Sequence, residues 1–598
     1  MKSTFKNLLL GTLLLCGIAS LFSCTKEVTS IRLNETELSL FEGDMFLLKA
    51  TVEPEDASNK DVVWTSGNEH VASVREQIGL VTAISEGETV ITASCGAVKA
   101  SCRVIVSQKK VTSISLDQES ALVFIGESFQ LTATPIPEDA VDNAVIWSSS
   151  NTDIASVDQG MVSPLSAGTA TITATAGECS ASCIVNVLAP YGGMCLESID
   201  GGTITISNPN MLPIEYKVEK EDWVSNNSQS ISIVVYGKKR VWFRGNNMSY
   251  TTGNVNVGLR ETTFKCRGDF YLYGNLMSLI YGDEFESKTE ITGAYAFSKL
   301  FDQNSGIINH PTLDIELPAT TLSPSCYRNM FYQCSKLTRA PKLPAKILTE
   351  ACYASMFAYC SSLKEFPGMA ATDMAYMSCT WMMMQTGIEE APELPAMNLA
   401  DHCYEFMFME CPNLKKAMPI LPATKLAQFC YTGMFQRADN LEDAPELPAT
   451  KMEYHCYSHM FNGCKALQTA PKLPAMSLAG SCYQRMFGKS GLTEAPELPA
   501  MNMESMCYQY MFEGCKSLTK APVLPAIQLD AWCYENMFHD CPNLSYIKAD
   551  FLTHPSDYYT TNWVDGVAAT GTFVKNPNAA WDVWGPNGIP EGWTVVYE

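Results

Sequence analysis

The chain has 598 residues, of which 46% are hydrophobic, so it is long enough to form several domains with separate cores. Its formal net charge is −23, from 41 basic and 64 acidic side chains. This acidic balance argues against binding to nucleic acid and against electrostatic docking on anionic membranes.

The N-terminus has the features of an export signal. Two lysines precede an apolar run from Leu8 to Phe22, which is too short for a standard membrane span. The sequence Leu21-Phe22-Ser23-Cys24 resembles a bacterial lipobox, and the resemblance implies a signal peptide over residues 1–23 and lipid attachment to Cys24. The residue after Cys24 is Thr25, whereas lipoproteins retained in the inner membrane carry Asp there, so the resemblance implies that the chain is anchored in the outer membrane. An ordinary signal peptide with a chance cysteine is the alternative.

Residues 24–108 and 109–189 carry the same short motifs at an offset of 83 residues. The matching pairs are Val28-Thr29-Ser30-Ile31 with Val111-Thr112-Ser113-Ile114, and Trp64-Thr65-Ser66 with Trp147-Ser148-Ser149. Short alternating strands around one buried tryptophan predict an all-β sandwich in each segment. The motifs resemble the bacterial immunoglobulin-like group 2 domain, and the resemblance implies that the pair serves mostly as a rigid spacer.

Residues 190–289 alternate apolar and polar side chains between Gly and Asn clusters, as in Thr203-Ile204-Thr205-Ile206. The pattern predicts a further β-rich domain. We expect it to cap the repeats that follow, and a second binding site is the alternative.

Nine copies of one unit fill residues 290–552. Each carries a Cys-Tyr-x-x-Met-Phe core or a variant of it, and the leading cysteines are Cys326, Cys352, Cys379, Cys403, Cys430, Cys456, Cys482, Cys507 and Cys533. So steady a period predicts a solenoid, in which each unit buries its apolar face against its neighbours.

Apolar residues four apart in each unit predict a helix with one wide buried face. A leucine then opens a short strand, which ends at Ala-Pro-x-Leu-Pro-Ala because proline cannot donate to a ladder. These motifs resemble the BspA-type leucine-rich repeats of bacterial surface proteins, which implies an α/β leucine-rich-repeat-like solenoid. The third copy departs most, with Met383-Met384 aligned to Met-Phe. The tail, 553–598, leaves the period and is expected to form a β-rich cap.

Of the 23 cysteines, 15 lie in the repeats. A second cysteine follows the first by eight residues, but three copies have Gly387, Ala438 or Ser490 there while the first cysteine remains. A required disulfide partner would not be lost alone, so these thiols are predicted to be reduced, buried and packed as small apolar groups. The Cys-x7-Cys spacing does not suit zinc. A disulfide between Cys95 and Cys102 is left open.

No catalytic motif was found, and we expect neither an enzyme nor a cofactor. His455 and His459 lie four apart and could hold a metal, but other copies lack the pair, so two surface histidines are the favoured interpretation. Glu389-Glu390 could suggest glycosidase carboxylates. A charged strand face is favoured instead.

The expected function is a cell-surface lipoprotein that binds a host matrix protein or another cell-surface protein. The alternative is a glycan-binding lipoprotein of an uptake system, or a divergent glycan hydrolase; exposed aromatic rings on the solenoid would favour glycan. A charge ladder is also predicted, with Lys415-Lys416 of the fourth copy between Glu389-Glu390 of the third and Glu442-Asp443 of the fifth.

Overall fold

A computed structural model of the chain describes residues 26–254, 258–554 and 557–598. The expected signal peptide and Cys24 lie outside the described residues. The chain divides after Pro190 into two compact units, which are taken in turn. It is multidomain and β-rich, as predicted, but the described residues contain a single α-helix of four residues.

The first Ig-like module packs three small sheets around Trp64, which is 4% exposed. Their orders are β2-β9-β8-β5, β3-β7-β6 and β1-β4, with β2 parallel to β9. The strands are β1 Ser30–Leu33, β2 Glu37–Phe41, β3 Met45–Leu47, β4 Ala50–Glu53, β5 Val63–Ser66, β6 Ala72–Val74, β7 Leu80–Ala83, β8 Gly87–Cys95 and β9 Val98–Ser107. The predicted sandwich is confirmed.

The second module repeats this topology with sheets β11-β18-β17-β14, β12-β16-β15 and β10-β13. Trp147 packs against its core. The strands are β10 Ser113–Leu116, β11 Ser120–Phe124, β12 Phe129–Gln130, β13 Ala133–Ile136, β14 Ile146–Ser149, β15 Ala155–Asp158, β16 Met161–Pro164, β17 Gly168–Ala176 and β18 Cys179–Leu188.

The disulfide left open in the first module does not form. The hairpin of β8 and β9 pairs Cys95 with Val98 and Cys102 with Ile91, so the two cysteines are not cross-strand partners. Both are buried free thiols.

The β-rich domain begins the second unit. Its main sheet has the order β22-β21-β24-β19-β28-β29, and a second sheet has the order β23-β20-β27. The elements are β19 Cys195–Ser198, β20 Gly201–Ser207, β21 Ile214–Val218, β22 Val224–Asn226, β23 Ser230–Tyr236, β24 Arg240–Arg244, β25 Thr251–Asn254, β26 Gly258–Glu261, β27 Thr263–Arg267, β28 Phe270–Asn275, α1 Ser278–Tyr281 and a 3₁₀ helix Gly282–Ser287.

This domain is continuous with the first repeats. Strand β28 pairs in parallel with β29 Ile307–Asn309 and β30 Ile315–Glu316, which precede the first full copy. The ring of Phe264 lies 5.8 Å from that of Phe301, which stacks on Phe331 of the first copy. The ring contacts therefore continue from this domain into the first copy.

The predicted helix of each repeat is wrong. Over the Cys-Tyr-x-x-Met-Phe core the chain forms consecutive tight turns, with a residue of positive φ at every fourth position. In the fifth copy these residues are Phe429, Gly433 and Arg437, with φ of 55°, 57° and 57°. An α-helix cannot contain left-handed residues at that spacing. We call the segment the turn ribbon.

Backbone hydrogen bonds alternate along the turn ribbon. In the fifth copy the N–H groups of Cys430, Thr432 and Met434 donate within the copy to the carbonyl three residues earlier. The N–H groups of Tyr431 and Phe435 donate at 3.0 Å to carbonyls of the sixth copy. Every second amide therefore links neighbouring copies, which a closed α-helix could not do because its amides are used internally.

The predicted strands are mostly reduced to single parallel bridges between successive copies, such as Leu343 with Met369 and Ile420 with Glu446. Prolines interrupt the ladder, as the sequence indicates. Besides the pairing of β28 with β29 and β30, the array has a regular sheet at its C-terminal end, in parallel order β31-β32-β33-β34. Its strands are β31 Val523–Leu524, β32 Tyr546–Ala549, β33 Thr572–Lys575 and β34 Thr594–Tyr597, with a 3₁₀ helix at Asp557–Tyr559.

The third copy lies one residue out of the predicted register. The N–H of Tyr353 donates to Ser378 O, where the equivalent amide of the first copy reaches a leading cysteine. Ser378, not Cys379, therefore takes the leading position, and the alignment of Gly387 with the second cysteine is also wrong by one. The tyrosine, methionine, phenylalanine and second-cysteine positions hold Cys379, Met382, Met383 and Thr386.

The tail does not leave the stack at once, contrary to the prediction. The N–H of Phe538 donates to Trp563 O, and Asn562 and Gly566 have positive φ, so one more turn ribbon follows the ninth copy. Trp563 is fully buried and stacks on Tyr534 at 5.9 Å. The unit lacks the cysteine motif, so sequence comparison missed it.

Candidate recognition surface

The interior of the array is built from near-identical columns. Phenylalanine rings of successive copies stack 5.5–5.8 Å apart, for example Phe435 on Phe461 at 5.7 Å. Tyrosine rings form a second column, with Tyr431 on Tyr457 at 5.7 Å. These columns of methionine and aromatic side chains are core packing between the copies.

The repeat cysteines are all buried free thiols, as predicted. The structure adds a role that the sequence did not indicate. Each second-position thiol donates to a carbonyl of the preceding copy, such as Cys464 Sγ to Phe435 O at 3.2 Å and Cys334 Sγ to Phe301 O at 3.0 Å. Burial raises the pKa of Cys411 to about 11, so such a thiol stays protonated and able to donate.

Several tyrosine hydroxyls of the interior column are buried without a hydrogen-bond partner among the described residues: Tyr327, Tyr353, Tyr404 and Tyr457. A buried hydroxyl that makes no hydrogen bond costs free energy. The tyrosine column therefore stabilises the array through the packing of its rings and not through its hydroxyl groups.

The first positive-φ position of the turn ribbon differs from copy to copy, and its side chain is buried in the first and seventh copies. The residues at its first positive-φ position are Ser325, Ala351, Met377, His402, Phe429, His455, Ser481, Met506 and Trp532. Aromatic and imidazole rings concentrate at and beside this position in the third to sixth copies. Apart from the third copy the interior is nearly constant, whereas this position varies, which is the arrangement expected of a scaffold with a local recognition surface.

We define the aromatic stripe as Tyr376, His402, Phe429, Tyr454 and His455. His402 and Phe429 stack at 4.5 Å, and Phe429 and His455 at 4.9 Å. Tyr376 meets His402 edge-to-face at 5.6 Å, and Tyr454 meets His455 in the same way at 4.2 Å. The two tyrosines at the ends of the stripe are 48% and 46% exposed.

A second pair of rings lies on the same ribbons, one turn further on. Trp381 and Phe406 stack in parallel with centroids 6.2 Å apart, and Trp381 is 37% exposed. Sequence analysis missed both this pair and the aromatic stripe because it treated outward positions as polar. The signal was present in part: comparing the residue two before each leading cysteine would have shown Tyr454, whereas Tyr376 takes that position only when Ser378 leads the third copy.

A groove of about 540 Å³ opens beside Tyr454. It is bounded by the segments that lead into the sixth, seventh and eighth turn ribbons. Its lining comprises Thr450, Lys451, Met452, Glu453, Tyr454, Ser477, Leu478, Ala479, Gly480 and Glu504. An exposed ring, two carboxylates and an ammonium group therefore face one space.

The two histidines near this surface contact neighbouring side chains, His455 through its stacked ring and His459 through a hydrogen bond. His459 accepts or donates a hydrogen bond with Ser458 Oγ at 2.7 Å, and burial with the charge of Arg485 lowers its pKa to about 4. Burial also lowers the pKa of His455. In the part of the chain that the structure describes, no three His, Cys, Asp or Glu side chains are grouped to hold a metal ion.

The predicted charge ladder has the expected register. Single parallel bridges join Glu390 to Lys416 and Lys416 to Asp443. Lys416 Nζ lies 2.8 Å from Glu390 Oε1, and this hydrogen bond raises the lysine pKa. Both side chains are more than 60% exposed, so the pair is a solvated contact. Glu389 and Glu390 are thus part of a charged strand face.

A second groove, of about 1060 Å³, lies along the proline-rich side of the first copies. Arg339, Lys342 and Lys364 line it together with acidic residues that include Glu365 and Glu389. Arg339 is bound to Asp314 at 2.8 Å. The groove therefore carries charges of both signs, and its one arginine is already paired with a carboxylate.

Residues 27–106 and 110–186 each match the family described as bacterial Ig-like domain (group 2), which identifies the two N-terminal modules. An uncharacterised protein of Clostridium acetobutylicum is 33% identical over 166 residues, 27% of this chain and 17% of the relative. Ice-binding protein 1 of Shewanella frigidimarina is 32% identical over 157 residues, 25% of this chain and 18% of the relative. The chain spans less than a fifth of either relative.

Among solved structures, surface layer protein SbsC, domains 1–6, matches with a TM-score of 0.21 and 17% identity, covering 40% of each chain. Human protocadherin-24 EC1-2 matches with a TM-score of 0.15 and 14% identity, covering 28% of this chain and 99% of that one. In the described residues, no helix has the length and apolar character needed to cross a membrane.

Proposed function

We propose that the chain is an adhesion-type binding protein held on the cell surface by a lipid on Cys24. The two Ig-like domains act as the stalk, and residues 191–598 present the recognition surface. The partner is a surface molecule of a host or of another cell, either a matrix protein or a glycan. The observation that carries this proposal is the aromatic stripe, a local exposed feature on an otherwise repetitive scaffold.

Three features support this assignment. The family match identifies two Ig-like domains in the N-terminal segment. Domains of this family serve mostly as rigid spacers, which suits a stalk. The motifs of the array resemble BspA-type surface repeats, although its ribbons are turns and not helices. The acidic charge of −23 disfavours nucleic acid and anionic lipid as partners.

The anchor is tested by metabolic labelling with palmitate. Cells expressing the native chain should incorporate label, and Cys24→Ala should lose it. Cys16→Ala is a matched control, because this second cysteine lies within the same apolar run and should not affect labelling. Equal labelling of Cys24→Ala and the native chain would contradict the lipid anchor.

Surface recognition is tested with intact cells. External protease should remove residues 191–598 from cells that express the native chain but not from cells that express Cys24→Ala. Cells with the native chain should adhere to immobilised host matrix and to mucosal cells more strongly than a deletion strain. Protection of the chain from protease on intact cells would refute the proposal.

A further inference from the structure

We propose that the groove beside Tyr454 is a binding site for a neutral glycan, with the Tyr454 ring as the platform on which a sugar stacks. This inference rests on the proposed function in that it names the ligand class of the recognition surface. It depends on the shape of the groove, the fixed orientation of the ring and the unpaired polar groups around it.

The groove exists because of two small side chains. The residue before the first positive-φ position is Gln428 in the fifth copy and Tyr454 in the sixth. In the seventh and eighth copies it is Gly480 and Ser505. The seventh and eighth copies therefore have no large side chain at this position, and the Tyr454 ring lines the space of about 540 Å³ that they leave. This lies within the range of about 300–1,000 Å³ typical of small-ligand sites.

The Tyr454 ring is held in place although it is 46% exposed. It contacts Phe429 edge-to-face at 5.5 Å and His455 at 4.2 Å. It also lies over Gly480, where a Cβ would be 3.4 Å from the ring. A ring that is already ordered loses little conformational entropy on binding, which favours its use as a stacking platform.

The polar groups of the groove are available to a ligand. Lys451, Glu453 and Glu504 line it, and their side chains make no hydrogen bond or ion pair with any described residue. Sugar hydroxyls both donate and accept, so they can satisfy carboxylates and an ammonium group in the same site. Half of the residues that line the groove are polar or charged, which suits a ligand rich in hydroxyl groups.

Charge selects among glycans. Two carboxylates and one ammonium group face the groove, and the whole chain carries −23. Sulfated or uronic-acid chains would be repelled, whereas a neutral chain would not. A protein partner would need a contact of about 1,200–2,000 Å² for stable binding, far more than this groove offers. The aromatic stripe continues from Tyr454 towards Tyr376, which leaves room for an extended glycan.

The test is binding of the purified protein to a printed array of neutral and acidic glycans of plant, fungal and mucin origin. The strongest neutral ligand is then titrated by calorimetry against variants. Tyr454→Ala should weaken binding at least tenfold, while Tyr454→Phe should keep most of it because the ring remains. Gly480→Gln should also weaken binding at least tenfold, because it fills the groove with the side chain that the fifth copy carries at Gln428.

Tyr236→Ala is the matched control, since it removes a tyrosine that is 82% exposed and lies outside the groove. Its affinity should equal that of the native protein, and thermal unfolding should show every variant folded. Binding to no neutral glycan, or to acidic glycans alone, would overturn the inference. So would unchanged affinity in both Tyr454→Ala and Gly480→Gln.

The outcomes separate this inference from the proposed function. If cells adhere through the native chain but the purified protein binds no neutral glycan, the surface function stands and the glycan site fails. If the purified protein binds glycan through Tyr454 but the chain is not displayed on cells, the glycan site stands and the surface function fails.

Discussion

Replacing Phe435 by Ala should locally destabilise the array by about 3–5 kcal/mol, the usual cost of removing a buried phenylalanine. The ring is 0% exposed and stacks on Phe408 and on Phe461, each at 5.7 Å. Each aromatic pair adds about 0.5–1.5 kcal/mol beyond burial, but the copies can relax towards the cavity. Met434→Ala, also at a fully buried position, should cost about 2–5 kcal/mol.

The measurement is amide hydrogen exchange, because it reports each copy separately and does not require the whole chain to unfold in one step. Exchange should accelerate in the fourth to sixth copies and remain unchanged in the Ig-like modules. Tyr236→Ala, which removes an exposed ring, should leave the array unaffected. If Phe435→Ala exchanges like the native chain, the rings are not the element that joins the copies.

Four further results are expected. Thiol titration in denaturant without reductant should find most of the 15 repeat cysteines free, and near-complete pairing would disprove the packing argument. Tyr404→Phe, which removes an unpartnered buried hydroxyl, should raise stability by up to about 1 kcal/mol, whereas Tyr250→Phe should lower it because that hydroxyl donates to Leu279 O at 2.9 Å. Lys416→Glu should lower stability slightly and leave partner binding intact; lost binding would make the ladder a docking site. The pKa of His459 is about 4 in the folded chain and about 6.5 in the unfolded chain. Because the unfolded chain then binds a proton that the folded chain does not, stability to urea should fall as the pH drops from about 6.5 to 4. The His459→Asn variant should lose less stability over that pH range, and asparagine is chosen because it tolerates the positive φ of this position.

The limits of the sequence are clearest in the turn ribbon. Apolar residues four apart over eight residues fit both an α-helix of 3.6 residues per turn and a ribbon with a period of four. The two differ in where backbone amides donate, and that depends on the neighbouring copy. Positive φ is usually signalled by Gly or Asn, but here it occurs at residues such as Phe429, His455 and Trp532, so local composition gave no warning.

The third copy illustrates a related limit. A leading cysteine was a sound marker in eight copies, yet in the third the stack places Ser378 there and moves Cys379 into the tyrosine column. Register between copies is set by all the inter-copy hydrogen bonds together. One residue type cannot report it when the interior accepts Ser, Cys or Tyr at neighbouring positions.

The sequence alone determined the two Ig-like modules, the repeat period, the buried reduced cysteines and the register of Glu390 with Lys416. Each depends on local motifs or on a fixed spacing, which the chain carries in its order of residues. Tertiary structure alone decided that the ribbons are turns, that Trp563 closes the aromatic column and that Tyr454 faces a groove. These features arise between copies, where a side chain such as Gly480 matters through the space it leaves to its neighbour.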